Sequence, residues 1–241
     1  MTGRARSALR RAEHTERVLD WEPNHDPASR GFAAVDLVPE DPERAVRWRP
    51  VRALPLDQGR EGSCTGHAVA GVIGTAPLSS ERISSSFAVQ VYKTAQRLDE
   101  WPGDHYSGTS VNAAMKVGRS LGWWGGYRWA FGVDDMRRAI RLGPLVLGVP
   151  WHAGMYRTDA EGVVVVRGQQ VGGHAIAVVG WAPDYAGRGP GFWWLNSWGH
   201  GYGNGGAGFV PEATMSGLIE GVGECAVPVD VSEGHTFEDA A

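Results

Sequence analysis

Four polar residues, each beside glycines or other small residues, carry the chemistry open to this chain. Gln58 stands in Asp57-Gln58-Gly59 and Cys64 in Gly62-Ser63-Cys64. His174 stands in Gly173-His174-Ala175, and Asn196 opens Asn196-Ser197-Trp198-Gly199. A thiol, an imidazole and two carboxamides are the parts of a thiol acyl-transfer site. The thiol attacks a carbonyl and the imidazole moves protons. One amide orients the imidazole, and the other donates to the developing oxyanion.

Each role makes a physical demand. Cys64 falls at the predicted first turn of a helix with Ser63 as N-cap, where amide dipoles favour a negative group. A nearby imidazolium would add to this, so the thiol pKa is expected to fall well below neutral. Most free cysteines are simply small buried hydrophobes; Gln58 six residues earlier and the Gly-Ser lead-in favour the nucleophile. His174 enters an apolar strand, Ala175 to Val179, and becomes the preferred base because Asn196 follows downstream. The competing histidines are His67, His105, His152 and His200. His67 lies one turn after Cys64 on the same helix, so its ring is expected to point away from the attack trajectory. Asn196 would accept from the His174 ring N–H and fix its tautomer. Gln58 would donate to the oxyanion together with the backbone N–H of Cys64.

Two blocks carry a family resemblance. Asp57-Gln58-Gly59-Arg60-Glu61-Gly62-Ser63-Cys64 resembles the papain-like cysteine peptidases, in which a Gln precedes the nucleophile at this spacing. Gly173 to Trp181, then Phe192-Trp193-Trp194-Leu195-Asn196-Ser197-Trp198-Gly199, is similar to that family's His strand and Asn-Ser-Trp-Gly segment. The resemblance implies an α+β fold of two subdomains, a helical half and an antiparallel sheet half, with the active-site cleft between them. It gives Trp198 the part of shielding the Asn-His hydrogen bond from water, which strengthens that bond. It places Gly108 and Thr109 where relatives pair with substrate backbone. It puts Glu224 near the floor of the main specificity pocket, where a carboxylate would favour a basic side chain.

The chain also departs from the pattern. Thr65 follows the nucleophile where relatives have an aromatic, and Glu61 stands where they often have a further cysteine. His174 comes earlier than the roughly 130–150 residues after the nucleophile usual for the group. A trimmed helical half would account for that.

The elements that must position these residues can be read coarsely. Cys64–Ile73, Ser84–Leu98, Thr109–Leu121 and Val133–Leu142 have helical spacing or helix start and stop signals. The first is rich in Gly and Ala, which suits a slender helix packed closely by its neighbours. Leu145–Val149, Gly162–Val166, His174–Trp181, Phe192–Leu195 and Ala207–Val210 are short, apolar and bounded by Gly or Pro, so strands are expected. Helices first and strands afterwards point to α+β. Residues 1–44 read as an N-terminal extension, an arm or short pro-segment, with a possible Arg-rich helix over Arg4–Leu19 and then four prolines. Residues 45–241 read as the catalytic domain.

Composition narrows the function. A chain of 241 residues with 42% hydrophobic and 21% charged residues suits one soluble catalytic unit. A net charge of −4 gives no case for nucleic acid or an anionic membrane as partner. No apolar run is long enough for a signal peptide or a membrane span. Two cysteines, one of them the nucleophile, leave no disulfide framework, which points to the cytoplasm. No His-Glu-x-x-His, paired Cys-x-x-Cys or P-loop occurs, so no metal or other cofactor is expected. The sequence sets no oligomeric state. The expected function is a thiol peptidase acting on a peptide or protein substrate through an acyl-enzyme. Transfer of the same acyl group to an amine, as in a peptide ligase or cyclase, is the alternative. A catalytically silent binding module is a third reading, disfavoured because all four polar residues are retained.

Overall fold

The computed structural model describes residues 17–38, 43–103 and 106–231. In chain order its helices are α1 (Pro27–Arg30), α2 (Cys64–Ile73), α3 (Ser85–Gln96), α4 (Val111–Ser120), α5 (Val133–Ala139) and α6 (Glu212–Ile219). The strands are β1 (Val46–Arg47), β2 (Trp124–Ala130), β3 (Leu145–His152), β4 (Gln170–Ala182), β5 (Gly191–Leu195), β6 (Ala207–Pro211) and β7 (Glu224–Val231). The strands form one antiparallel sheet in the order β2-β7-β3-β4-β5-β6, with β1 paired to β4. Helices α2, α3 and α4 form the other half, giving the expected α+β fold of two subdomains.

Helix α2 lies between the two halves, and every one of its residues is buried. Its glycines make that possible. A Cβ on Gly66 would stand 2.0 Å from the Ala88 carbonyl oxygen of α3, and one on Gly71 would stand 2.9 Å from Ala177 Cβ of β4. Strand β4 shows the period of two that positions the site. Ala175, Ala177 and Val179 face the core shared with α2, while Ile176 and Val178 join the core on the opposite face of the sheet. His174 has the parity of Ile176, so it belongs to that second, aromatic-rich side.

Helix α2 has the predicted bounds, and α3 and α4 are each a few residues shorter than expected. Helix α5 stops at Ala139. Gly162–Val166 is not a strand: only isolated bridges, Thr158 with Val164 and Val163 with Phe209, tie it to its surroundings. Five elements were not foreseen, among them the four-residue α1 and the two-residue β1. Strand β2 carries Gly125-Gly126 directly after its first residue and has no clean alternation of burial. Strand β7 contains Pro228, which argues against a central strand. Its pairing to β3 ends at Ala226, so Pro228 is paired on one side only. Helix α6 is short and buries only Met215, Leu218 and Ile219.

Most of the possible helix Arg4–Leu19 lies outside the described residues, and residues 17–19 are not helical. The described part of the expected extension, residues 17–38, is packed into the molecule. Trp21 is 3% exposed and Ala34 is completely buried.

Candidate active site

The two halves bring Gln58, Cys64, His174 and Asn196 together. Cys64 is the first residue of α2. Ser63 is the N-cap, but its hydroxyl makes no capping bond and instead lies 3.2 Å from His67 Nδ1. The ring of His67 is thereby tied within its own helix, and Nδ1 also donates to the Ser63 carbonyl at 3.0 Å. The Cys64 sulfur accepts from the backbone N–H of Ala175, the residue after His174. The sulfur is therefore tied to the residue that follows the imidazole.

His174 is bound through one nitrogen only. Its Nε2 lies 2.8 Å from Asn196 Oδ1, and its Nδ1 is buried with no hydrogen-bond partner among the described residues. Asn196 Oδ1 also accepts from the Ser197 N–H at 2.8 Å, which fixes the amide. Gln58 is fixed from the same segment. Its N–H donates to the Ser197 carbonyl at 2.9 Å, and its Oε1 accepts from the Ser197 hydroxyl at 2.7 Å. Its Nε2 is thus turned as a donor towards the cleft, where it reaches Glu61 O at 3.0 Å and Val18 O at 3.2 Å.

Aromatic rings enclose the His174–Asn196 bond. Trp198 lies 5.0 Å from the imidazole, centroid to centroid, and Trp151 lies 4.7 Å from it, edge to face. Trp194 stacks on Trp151, and Tyr156 on Trp198. Sequence reasoning named Trp198 but missed Trp151. The available signal was its register on β3: Val149 pairs with His174, so a residue two further on projects from the same face.

The cleft is filled by the chain's own N-terminal segment. Residues Arg17–Pro23, here called the arm, run along both walls. Trp21 N–H donates to Gly173 O at 3.0 Å, Thr109 N–H to Asp20 O at 3.2 Å, and Glu22 N–H to Thr109 O at 3.2 Å. Thr109 and Gly108, the expected substrate-backbone residues, are therefore against the arm: a Cβ on Gly108 would stand 2.3 Å from Asp20 O. Over the sulfur the arm places the Asp20 backbone N–H, a donor and not a carbonyl carbon. Arg17 closes the other end with an ion pair to Asp57 and a 2.9 Å bond to Gly59 O. Cys64 is completely buried beneath this segment.

Glu224 is completely buried. It floors a pocket that holds the Trp21 indole, accepting from Trp21 Nε1 at 3.0 Å and from the Val111 N–H at 3.3 Å. Gly148 and Gly173 make room for the ring, since a Cβ on Gly148 would stand 2.2 Å from Trp21 Nε1. A glycine inside the apolar run Leu145–Val149 was the sequence signal for that close approach.

Protonation follows burial. The Cys64 thiol is pushed up to about 11 by burial, against the pull of the Ala175, Asp20 and Thr65 N–H groups. His174 is pushed down to about 4 by burial, with Asn196 acting against it. With the arm in place the pair is thus neutral thiol and neutral imidazole. That differs from the depressed thiol pKa expected at a helix N-terminus, because exclusion of water outweighs the helix amides. Burial raises Glu224 to about 7 and also raises Asp20, whose carboxyl accepts from Ser107. Burial would raise Asp57 too, but Arg17 and the Gly59 N–H hold it below its ordinary value.

The second cysteine, Cys225, is free and buried, and burial raises its pKa. Among the described residues no group of three His, Cys, Asp or Glu side chains is placed to hold a metal ion. No described helix is long and apolar enough to cross a membrane.

No protein-family profile matches the chain, and no curated protein sequence does. Solved structures do. The cysteine protease xylellain from Xylella fastidiosa is 17% identical with a TM-score of 0.69, over 90% of this chain and 97% of that one. Digestive procathepsin L 3 of Tenebrio molitor is 15% identical with a TM-score of 0.59, over 93% and 88%. The bromelain protease of Ananas comosus, in complex with the E64 inhibitor, is 17% identical with a TM-score of 0.53, over 78% and 99%.

Proposed function

Starting from the papain-like fold that these likenesses establish, we propose that the chain is a cysteine peptidase whose cleft is closed here by its own arm. The observation that carries the reading is the His174 ring. Its Nε2 is committed to Asn196 and its Nδ1 is left without a partner among the described residues, while the next residue, Ala175, donates its backbone N–H to the Cys64 sulfur. Once the arm leaves and water or substrate enters, desolvation falls and Nδ1 takes the thiol proton. The thiolate sits at the N-terminus of α2, where the helix dipole favours it.

The sulfur attacks a peptide carbonyl, and the oxyanion receives Gln58 Nε2 and the Cys64 N–H. The protonated His174 gives its proton to the leaving nitrogen, and water then releases the acyl group. The leaving side is the Arg17 end of the cleft, because Asp57 there is bridged to Trp198, next to Asn196. The acyl half lies along Thr109 towards Glu224. The Glu224 carboxylate favours a basic side chain, and its Oε1, buried and without a partner, would complete a bidentate bond to a guanidinium. Two unpaired cysteines fit a reducing compartment.

The test is peptide cleavage by full-length protein carrying Trp21→Ala, which removes the arm's buried anchor without touching the catalytic residues. Cleavage lost in Cys64→Ser and His174→Ala supports the reading, and cleavage that survives Cys64→Ser defeats it. Added free amine appearing in the product mass would assign acyl transfer instead of hydrolysis.

A further inference from the structure

The cleft has a stop at its acyl end, made by the residues just beyond the arm. Asn24 Nδ2 donates to the Glu100 carboxylate on the helical wall, and its backbone N–H donates to Glu224. The next residue, His25, bonds to Val222 O at 3.2 Å on the sheet wall. The chain thus crosses from one wall to the other immediately past the Glu224 pocket. Beyond His25 the chain is anchored in the domain. Trp129 Nε1 donates to Ser29 Oγ at 3.0 Å, Trp129 N–H donates to Phe32 O at 2.9 Å, and Ala34 is completely buried.

Only two residue positions separate the sulfur from this crossing. Asp20 lies beside the thiol against Gly62 and Gly108, and Trp21 fills the Glu224 pocket. Resting on the peptidase reading above, we propose that residues Asn24–Asp36 are a fixed strap. After the arm swings out at Glu22-Pro23, substrate can place two residues, and no more, on the acyl side. The enzyme then removes dipeptides from free amino termini and does not cut internal bonds.

In the reaction, sulfur bonds to the carbonyl carbon of the substrate's second residue. The bond to the following nitrogen breaks, and that nitrogen takes the proton held by His174. Water then adds to the acyl carbon, the C–S bond breaks, and the dipeptide leaves as its carboxylate while the thiol regains a proton.

The experiment compares two peptidyl chloromethyl ketones on full-length Arg17→Ala protein by intact mass. One is Arg-Ala with a free amine; the other is the same probe extended by acetyl-Ala-Ala. Iodoacetamide, which needs no subsite, is run alongside, so an unreactive thiol is told apart from a blocked cleft. The expected result is at least tenfold faster modification of Cys64 by the short probe, with the gap narrowed by Asn24→Ala. Glu100→Ala, which unties the same contact from the other side, should narrow it too. Equal rates for the two probes in the Arg17→Ala protein would overturn the strap.

Discussion

Arg17–Pro23 and Asn24–Asp36 are adjacent in sequence and both lie across the rest of the fold, yet they are held by different means. The first is held by backbone bonds to Gly173 and Thr109, one buried indole and an ion pair in which Asp57 is half exposed. Under the proposed function its backbone bonds are ones that a substrate strand would also make, so substrate would compete for them. The second is held by Ala34 in the core and by Ser29 and Phe32 on Trp129, contacts that no substrate replaces. The difference teaches that a segment covering a cleft can be part removable and part permanent. The division comes from which walls each part uses, not from position in the chain. Local opening free energies vary in this way across one fold.

Substitutions should separate the two. Ala34→Asp has the largest expected effect. An unpaired carboxylate in a completely buried site costs about 3 kcal/mol or more. Chemical denaturation should show that loss as lower global stability. Trp21→Ala should act on closure instead. Removing a buried large aromatic costs the closed form about 3–5 kcal/mol, so iodoacetamide modification of Cys64 should accelerate by a factor of about one hundred or more. The global unfolding midpoint should shift much less than in Ala34→Asp. A global loss as large as that of Ala34→Asp would mean that the arm is as much part of the fold as the strap.

The next effect is pH dependence. Glu224 has its pKa raised to about 7 in the closed form, from an ordinary value of 4.5. The closed form therefore holds a proton that the open form gives up. Its contribution to closure is full below about 4.5, declines as pH rises through 7 and is absent above. Asp20, also raised, acts in the same direction. Asp57 is lowered, so its contribution through Arg17 is lost only in acid, below the ordinary value of 3.8. Hydrogen-exchange protection of residues 17–23, corrected for intrinsic rates, should fall between pH 5 and pH 7.5 while residues 28–36 stay level. Glu224→Gln should flatten the change. Arg17→Ala is expected to have the smallest effect. Such a partly exposed ion pair is worth at most about 1 kcal/mol, hence a severalfold rise in Cys64 labelling that shrinks in high salt.

The four candidate site residues could be picked out in sequence because each carries a type and a local setting that chemistry restricts. The α+β order and α2 were legible because apolar spacing and glycines mark them. The arm was not legible, since nothing in Leu19-Asp20-Trp21-Glu22 says that it docks at Thr109 and Gly173, far along the chain. Glu224 became a pocket floor only through the pairing of β7 with β3 and the approach of Trp21 to Gly148. Trp151 likewise acquires its role through the β3–β4 register. The thiol pKa was misjudged for the same reason. The helix N-terminus is visible in sequence, but the segment that dries it lies more than forty residues upstream.

The most direct test of the central claim is intact mass after treating native protein with an irreversible thiol-directed epoxide. Wild type and Arg17→Ala would be compared, with Cys64→Ser and His174→Ala in each background. The account predicts one adduct on Cys64, faster in Arg17→Ala, absent in Cys64→Ser and slowed in His174→Ala. Equal labelling of Cys64 and Cys225, or a rate unchanged by loss of His174, would contradict it.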